Sequence, residues 1–253
     1  MSEILQSERQ GRVLRVTLHR PEKRNALNAA LCRELVEVFE NANLDPSIGA
    51  ILLMGSGKAF CAGMDISEIS AGTNDEIAEA NEKLFTIGAR LDIPLIAAVD
   101  GGAFGGGVGL LANCHIVLAS ERAEFGLTEI RLGLWPFLIY RTVTAAIGER
   151  RATELSLTGR IIDAREAREI GIVHQVIPNF AVTAMGIAES VANFSPTAVR
   201  KGLGFVRETR DIDWKMAGEI GRRTRNEVFA AADFQEGLRA FLEKRSPKWP
   251  SIA

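Results

Sequence analysis

The chain has 253 residues, of which 47% are hydrophobic and 25% charged, and its formal net charge is −2 at pH 7. A chain of this length and composition buries a sizeable core, and no low-complexity segment interrupts it, which excludes a disordered or fibrous protein. The near-neutral charge gives no reason to expect nucleic acid or an anionic membrane as the main partner.

Cysteine and histidine are too sparse to predict a metal centre. Cys32, Cys61 and Cys114 are odd in number and have neither CxxC nor zinc-site spacing, which favours a reducing compartment. The first residues, MSEILQSERQGRV, lack an apolar signal core, and no run of about 18 apolar residues predicts a membrane span. We therefore expect a cytoplasmic protein without a bound metal.

The first half of the chain alternates apolar runs with helical patterns. Residues 13–18 predict a strand that Pro21 ends, and Asn25 or Asn28 is placed to cap a helix over AALCRELVEVFENANL. A buried strand over Ala50–Met54 then ends in the turn GSGK, and a charged helical segment covers residues 75–91. IPLIAAVDGG predicts another strand that ends in glycines.

The second half becomes mainly helical from about Tyr140. The short runs HIVLAS and GIVHQVI predict strands, and helix caps or first-turn acids are expected at Asp163, Ser195, Asp211 and Asp233. Strand–helix alternation followed by a helical tail predicts one α/β domain with a C-terminal helical extension.

Six glycines lie within residues 101–109, GGAFGGGVG. A dinucleotide fingerprint starting at Gly105 fails at Leu110, and GSGKAF lacks the first glycine and the hydroxyl residue of a phosphate-binding loop. The glycines stand before the helix-like LLANC, and backbone N–H groups at a helix start can hold an oxyanion. Close packing of a strand on a helix explains them equally well, so both readings stay open.

Glu129 lies in the mainly apolar stretch FGLTEIRLGLWP. A carboxyl group in such surroundings has a raised pKa, which suits a proton-transfer catalyst, whereas the alternative is a salt bridge with Arg131. No GxSxG element is present, and His115 and His174 fall in apolar strand-like runs where structural roles are expected. The residues thus leave a carboxylate and backbone amides as candidate chemistry.

Six segments together carry a resemblance to a known family: RPEKRNALN (20–28), AFCAGMDISEI (59–69), AVDGGAFGGGVGLLANCHIVLAS (98–120), AEFGLTEIRLGLWP (123–136), LTGRIIDAREAREIGIVHQVIP (157–178) and AFLEKRSPKW (240–249). Their order and spacing resemble the crotonase superfamily of enoyl-CoA hydratases and isomerases over nearly the whole chain. The resemblance implies an α/β fold, with a spiral of ββα repeats over residues 1–195. Helices over residues 196–253 would form a trimer, often paired into a hexamer, and contact CoA.

The resemblance also implies a site for an acyl-CoA thioester, in which CoA is part of the substrate and no separate cofactor is needed. The peptide N–H groups of Met64 and Gly106 would hold the thioester oxygen and stabilise an enolate. The residues expected to contact CoA or substrate are Arg24, Ala26, Ala62, Asp65, Ile66, Trp135, Phe241 and Lys244. The resemblance places Phe241 and Lys244 near the nucleotide of a neighbouring subunit, and Trp135 with Phe137 lines the acyl pocket or belongs to the core.

One position departs from the pattern of typical hydratases, which carry two catalytic glutamates. Glu129 stands in TEI, with Thr128 where proline is usual, and Gly109 replaces the other glutamate. A single carboxylate suits removal of a proton at one carbon and its return two carbons away, as in Δ3,Δ2-enoyl-CoA isomerases. We therefore expect an enzyme of fatty acid metabolism that shifts a double bond, with Glu129 as acid and base.

Several alternatives stay open. Hydration remains possible if Glu68, Glu79 or Glu149 enters the site or if Glu129 serves both steps. Decarboxylases and thioester hydrolases share the fold, so the fold does not fix the reaction. A catalytically inactive CoA-binding protein is the alternative of a different class. The resemblance does not give the acyl chain length, the pathway, or a choice between trimer and hexamer.

Overall fold

The apolar runs of the chain form the strands of a large sheet. The computed structural model describes residues 3–69 and 74–252. The sheet has the order β1-β2-β3-β5-β7-β10, and its strands are β1 (Leu5–Gln10), β2 (Val13–Leu18), β3 (Ala50–Gly55), β5 (Leu95–Val99), β7 (Ile116–Ala119) and β10 (Gln175–Val176). From β2 to β10 the neighbouring strands are parallel. β5 is buried along its whole length, because its alternate residues belong to two hydrophobic clusters that cover its two faces.

A second, smaller sheet lies beside it, with the order β4-β6-β8-β9. Its strands are β4 (Ala59–Cys61), β6 (Gly102–Phe104), β8 (Glu124–Gly126) and β9 (Ile162–Asp163). β4, β6 and β8 each follow a strand of the large sheet within a few residues and precede a helical segment. Each turn of the chain therefore adds one strand to each sheet, and the repeated ββα unit builds a spiral.

The helices are α1 (Ala29–Leu44), α2 (Ile66–Ile69), α3 (Asn74–Phe85), α4 (Gly106–Ala112), α5 (Phe137–Ile147), α6 (Glu149–Thr158), α7 (Ala164–Ile170), α8 (Phe180–Ala192), α9 (Pro196–Glu208), α10 (Trp214–Ala230) and α11 (Ala232–Leu242). Short 3-10 turns cover Pro21–Lys23, Ile87–Ala89, Glu129–Leu132 and Pro250–Ile252. No helix among the residues described is both long enough and apolar enough to cross a membrane.

The helix caps follow the sequence prediction with one exception. Asn28 caps α1, because its side chain accepts a hydrogen bond from Leu31 N at 3.0 Å. Asp163 and Ser195 cap α7 and α9 in the same way. The prediction of a helix start at Asp211 is wrong, since α10 begins at Trp214 and Asp213 is the residue that caps it.

Two hydrophobic clusters cover the two faces of the large sheet. The larger contains the buried side of α1 with Leu31, Leu35 and Phe39, and it extends through α3, α4 and α5. The smaller packs alanines of α8 against the opposite face of β3, β5 and β7. This arrangement leaves the loops after β4 and β6, together with the 3-10 turn after β8, side by side at one end of the spiral.

His115 and His174 stabilise the sheet, as the sequence predicts. The Nδ1 atom of His115 accepts a hydrogen bond from Leu95 N, and that of His174 accepts one from Val117 N, both at 3.0 Å. Burial, together with the charge of Arg210, lowers the pKa of His115, which keeps the ring neutral. Both rings hold strand ends in place.

Candidate active site

The loop that carries Met64 pairs with the segment before α1. Leu27 N donates to Gly63 O at 2.7 Å and Asp65 N donates to Leu27 O at 2.9 Å, which makes an isolated parallel bridge between Leu27 and Met64. In a parallel bridge these two bonds use the peptide groups that flank the central residue. The peptide N–H of Met64 is therefore not part of the bridge.

A buried ion pair braces this loop. Arg20 Nη2 lies 2.9 Å from Asp65 Oδ2, and the two side chains are only 10% and 8% exposed. Arg20 also donates to Ala26 O at 2.5 Å. Burial works against ionisation of Asp65, but hydrogen bonds from Ser67 and Arg20 outweigh it and hold the pKa of Asp65 below its ordinary value. The Asp65 carboxylate thus faces the protein, and its predicted contact with CoA stays a prediction.

Two glycines allow the Met64 loop to lie directly against the start of α4. A β-carbon on Gly63 would come within 3.3 Å of Gly106 N, and one on Gly106 would lie 3.7 Å from Gly63 Cα. Gly105 precedes α4 with φ 50°, a left-handed conformation that favours glycine. Gly106 is the first residue of the helix, where backbone N–H groups have no partner within the helix.

Met64, Gly106 and Glu129 line one cavity of about 200 Å³. The other residues that line this cavity are Leu27, Asn81, Phe85, Leu134, Trp135, Pro136, Phe137, Leu138 and Ile139. Most of these side chains are apolar, and the polar ones are Asn81 and Glu129. The structure therefore brings the candidate amides and the candidate carboxylate to a single apolar cavity.

Glu129 opens the 3-10 turn that follows β8, and its carboxylate lies against Gly105. A β-carbon on Gly105 would be 2.8 Å from Glu129 Oε1, so only glycine leaves room for the carboxylate. Glu129 Oε2 is buried without a hydrogen-bond partner. Burial raises the pKa of Glu129, partly opposed by a hydrogen bond from its own backbone.

The alternative of a salt bridge between Glu129 and Arg131 is not what the structure has. The Arg131 side chain lies over Gly159, where a β-carbon would come within 3.4 Å of Arg131 Cγ. No ion pair within the described part of the chain involves Glu129. The carboxylate is thus free to exchange a proton with a molecule in the cavity.

None of the other candidate carboxylates reaches this cavity. Glu68 accepts a hydrogen bond from Ala29 N at 2.8 Å, which ties it to the start of α1. Glu79 pairs with Lys83 at 2.7 Å on the exposed side of α3, and Glu149 is exposed on α6. Among the described residues that line the cavity, Glu129 is the one carboxylate.

Gly109 lies beneath Ile139 and Phe85. A β-carbon at residue 109 would overlap Ile139 Cγ2, lie 2.9 Å from Ile139 Cβ and lie 3.1 Å from Phe85 Cδ1. Ile139, in the first turn of α5, is 3% exposed. The position where the resemblance implies a second glutamate therefore has no free space for a side chain.

The remaining predicted contact residues fall into two groups. Arg24 is exposed and Ile66 is 56% exposed, whereas Ala26 is buried and Ala62 is half-buried. Arg24 and Ala26 lie in the segment before α1, and Ala62 and Ile66 lie on either side of Met64, with Ile66 at the start of α2. Trp135 lines the cavity and its ring lies 5.6 Å from that of Tyr140. The sequence therefore predicts correctly that these residues lie near Met64 or at the cavity.

Phe241 and Lys244 are different, because they lie at the end of α11. Phe241 is 81% exposed, and Lys244 follows the helix with φ 54°. Neither residue is among those that line the cavity of this chain. Their contact with CoA stays a prediction that needs a neighbouring subunit.

Among the cavity residues that sequence reasoning missed, Asn81 and Ile139 bear most directly on the chemistry. Asn81 shares the buried face of α3 with Ile77 and Phe85, at intervals of four residues, and all three are 4% exposed. A polar residue on an apolar helical face was the available signal. Ile139 gave no signal, because its contact with Gly109 joins segments that are distant in the sequence.

A larger depression of about 670 Å³ lies near the other end of α4. It is lined by His115, His174, Arg141, Arg210 and Asp211, among others. The two histidines are bonded to the backbone, and Arg141 pairs with Asp211 at 3.2 Å. Because both histidines hold strand ends through Nδ1 and Asp211 is paired with Arg141, this depression is a weaker candidate than the cavity at Glu129.

Comparison with known proteins identifies the family of the chain. The profile of the enoyl-CoA hydratase/isomerase family matches residues 8–251. A probable enoyl-CoA hydratase of Rhizobium meliloti is 37% identical over 98% of both chains, and the 2,3-dehydroadipyl-CoA hydratase of Escherichia coli is 36% identical over 98% of both. The crystal structure of an enoyl-CoA hydratase from Bacillus anthracis superposes with a TM-score of 0.93 at 31% identity, covering 98% of this chain and 99% of that one. The chain belongs to the enoyl-CoA hydratase/isomerase family and has the crotonase fold.

Proposed function

We propose that this protein moves the double bond of an enoyl-CoA thioester, with Glu129 as the acid and base that carries the proton. The observation behind the proposal is the Glu129 carboxylate, whose Oε2 is enclosed without a hydrogen-bond partner and which is alone among the carboxylates in its apolar cavity. Within the described residues, the cavity offers no second acid or base to activate water.

In the proposed reaction the thioester oxygen is held by the peptide N–H groups of Met64 and Gly106. These groups polarise the carbonyl and stabilise the negative charge of an enolate, and loss of one such donor costs about 10²–10³ in rate. The arrangement of the Gly63 and Gly106 backbones supports this role, since both loops approach without side chains between them.

Glu129 then transfers one proton within a 3-enoyl thioester. The carboxylate takes the proton from carbon 2, and the electron pair of that C–H bond delocalises over the diene and the thioester oxygen. The resulting carboxylic acid returns the proton to carbon 4, so the double bond lies between carbons 2 and 3 and Glu129 is ionised again. Atoms and charges balance, and the step needs no cofactor or metal.

Hydration of a 2-enoyl thioester is the second candidate, because the similar proteins from Rhizobium meliloti and Escherichia coli are both described as hydratases. Water addition needs a base for the water and an acid for carbon 2, and Glu129 would have to serve both steps in turn. The contact between Gly109 and Ile139 weighs against a water held from that side.

The CoA part of the substrate is proposed to lie along the loops of Arg24, Ala26, Ala62 and Ile66. Phe241 and Lys244 would complete the nucleotide site from a neighbouring subunit of a trimer, or of a hexamer made of two trimers.

Exposed apolar side chains in residues 196–253 support such assembly, namely Val206, Trp214, Met216, Phe229, Leu238, Phe241 and Leu242. Light scattering coupled to gel filtration measures the assembly, and a monomer would contradict it.

A panel of 2-enoyl and 3-enoyl CoA esters tests the function. Isomerisation leaves the mass unchanged and alters the ultraviolet absorbance of the thioester, whereas hydration adds one water to the mass. We expect turnover of 3-enoyl esters without a change of mass. CoA binding without any turnover would instead support an inactive CoA-binding protein.

A further inference from the structure

Asn81 carries a polar amide into the acyl cavity, although the residues around it are apolar. It is 4% exposed, and it lines the cavity between Leu27, Phe85 and the first turn of α5. The Cys32 Sγ–H group donates to Asn81 Oδ1 at 3.1 Å. Burial raises the pKa of Cys32 to about 12, so the thiol keeps its proton and can act as the donor.

The other end of the amide, Nδ2, has no hydrogen-bond partner in the part of the chain that the structure describes. Side-chain atoms that are fully enclosed and unpartnered belong to His19, Ser56, Glu129 and Thr144, and not to Asn81. Asn81 Nδ2 therefore contacts accessible space, and the space beside Asn81 is the cavity. An unpartnered amide in such surroundings costs free energy unless a ligand accepts its hydrogen bond.

We propose that Asn81 is a specificity-determining residue, whose Nδ2 donates a hydrogen bond to a neutral oxygen on a short acyl chain. The inference rests on the proposed function, since it assumes that the cavity receives the acyl part of a thioester. A volume of about 200 Å³ is smaller than that of most ligand pockets, which is roughly 300–1,000 Å³. The preferred substrates are accordingly short chains that carry a hydroxyl, keto or ether oxygen.

A charged group at the end of the chain does not fit this cavity. No Lys, Arg or His is among its described lining residues, and the carboxylate of Glu129 is already inside. Burial of a second carboxylate without a cation would be strongly unfavourable. The cavity therefore selects a neutral oxygen over a terminal carboxylate, unlike a site for the acyl group of a dehydroadipyl thioester.

Binding of saturated CoA esters, which cannot react, tests the inference by isothermal titration calorimetry. The ligands are hexanoyl-CoA and analogues of equal length with a keto group on carbon 4 or 5, an ether oxygen in place of carbon 4 or 5, or a hydroxyl on carbon 6. We expect at least one oxygen analogue to bind the wild-type protein about tenfold more tightly than hexanoyl-CoA. Asn81→Leu, which keeps the size of the side chain, should remove or reverse this preference.

Two further variants keep the result interpretable. Glu82→Gln changes the exposed neighbour on α3 and should leave the preference unchanged. Cys32→Ala removes the anchor of Oδ1 and should reduce the preference several-fold, whereas Cys32→Ser retains a donor and should preserve it. This pair also tests the inference if Asn81→Leu fails to fold.

The possible failures are distinct from one another. If no CoA ester binds the wild-type protein, the proposed function is wrong. If the esters bind but an oxygen makes no difference, or if Asn81→Leu and Cys32→Ala both keep the preference, the role of Asn81 alone is wrong. A higher affinity for a terminal carboxylate than for neutral oxygen would also contradict it.

Discussion

The side chain of Ile139 fills the space into which any side chain on Gly109 would project. A β-carbon at residue 109 would overlap Ile139 Cγ2 and lie 2.9 Å from Ile139 Cβ. Where a second glutamate would project, the space is therefore filled by the apolar side chain of Ile139 from α5. Gly109 and Ile139 act as a unit, so a carboxylate cannot be restored by changing residue 109 alone.

This relationship predicts that Gly109→Glu destabilises the protein. Overpacking in a core costs about 1–3 kcal/mol, and a buried carboxylate adds to that cost. Gly186→Glu is a matched control, because Gly186 is exposed in helix α8, outside the proposed assembly region, with no atom within 4 Å of its β-carbon position. Urea denaturation measures both, and a Gly109→Glu protein as stable as the wild type would contradict the contact.

The double variant Gly109→Glu with Ile139→Gly should recover part of the lost stability, because it removes both Ile139 atoms that collide with the new side chain. It should also gain hydration of 2-enoyl-CoA relative to isomerisation of 3-enoyl-CoA. Ile139→Gly alone is the control for an enlarged cavity. Equal product ratios in the wild type and the folded double variant would argue that the missing carboxylate does not limit hydration.

Glu129→Gln tests the acid and base directly. The amide has nearly the shape of the carboxylate but cannot take up a proton, so we expect the rate to fall by about 10²–10⁴. Glu149→Gln, on the exposed side of α6, should keep full activity. Steady-state kinetics on a proven substrate measures the loss, and full activity of Glu129→Gln would remove this residue from the mechanism.

The raised pKa of Glu129 predicts a stability that depends on pH. The carboxyl group of Glu129 has a higher pKa in the folded protein than in the unfolded chain, so the native state binds the proton more tightly. The free energy of unfolding of the wild type therefore falls as the pH rises from the unfolded pKa through the folded pKa. Glu129→Gln removes the cost of burying the charge. We expect its Tm to exceed that of the wild type by a few degrees near neutral pH.

The same relation between the pKa of Glu129 and stability predicts the result at low pH. Below the unfolded pKa of a glutamate, about 4.3, the carboxyl group is protonated in both states and the difference in Tm should vanish. Thermal melts of the two proteins between acid and neutral pH measure this. A difference in Tm that does not change with pH would mean that the substitution acts through packing instead of charge.

The ion pair between Arg20 and Asp65 should stabilise the Met64 loop. Removing one partner of a buried pair typically costs about 3–5 kcal/mol, so Asp65→Ala should lose stability and also activity, through a less ordered Met64 amide. Glu8→Ala breaks the exposed pair with Arg15 and should cost at most about 1 kcal/mol. Similar stability losses in the two variants would show that the Asp65 pair does not brace the loop.

The sequence predicts the long strands and the capped helices better than the short elements. Residues 50–54 and 95–99 are apolar throughout, and both runs form buried strands, as predicted. β1 has the mainly polar sequence LQSERQ, because an edge strand with an exposed face needs few apolar residues. The run GIVHQVI predicts a longer strand than β10, which spans only Gln175–Val176.

The small sheet is the part of the fold that periodicity cannot detect. β4, β6 and β8 have three residues each, and two of them contain glycine, so neither alternation nor β-propensity is measurable over their length. The ββα spiral is instead predicted by the resemblance to the crotonase superfamily. Asp211 and Asp213 have the same propensity to cap a helix, so the sequence alone does not choose between them. The packing of α10 makes Asp213 the N-cap.

Some residues of the site can be predicted from the sequence and others cannot. Glu129 and the glycines of residues 105–107 stand out in the sequence, because a carboxylate among apolar residues and a glycine cluster are both unusual locally. Asn81 and Ile139 act through contacts with Cys32 and Gly109, which lie far away along the chain. Such contacts follow from the folded packing and leave little trace in a single sequence.

In the proposed reaction one carboxylate moves one proton from carbon 2 to carbon 4. The most direct measurement uses a 3-enoyl-CoA ester with deuterium on carbon 2, with the product examined by mass spectrometry and NMR. We predict a 2-enoyl product that gains no water and carries part of the deuterium on carbon 4, with no such transfer by Glu129→Gln. A product that gains one water, or unreacted 3-enoyl ester beside rapid hydration of the 2-enoyl ester, would contradict it.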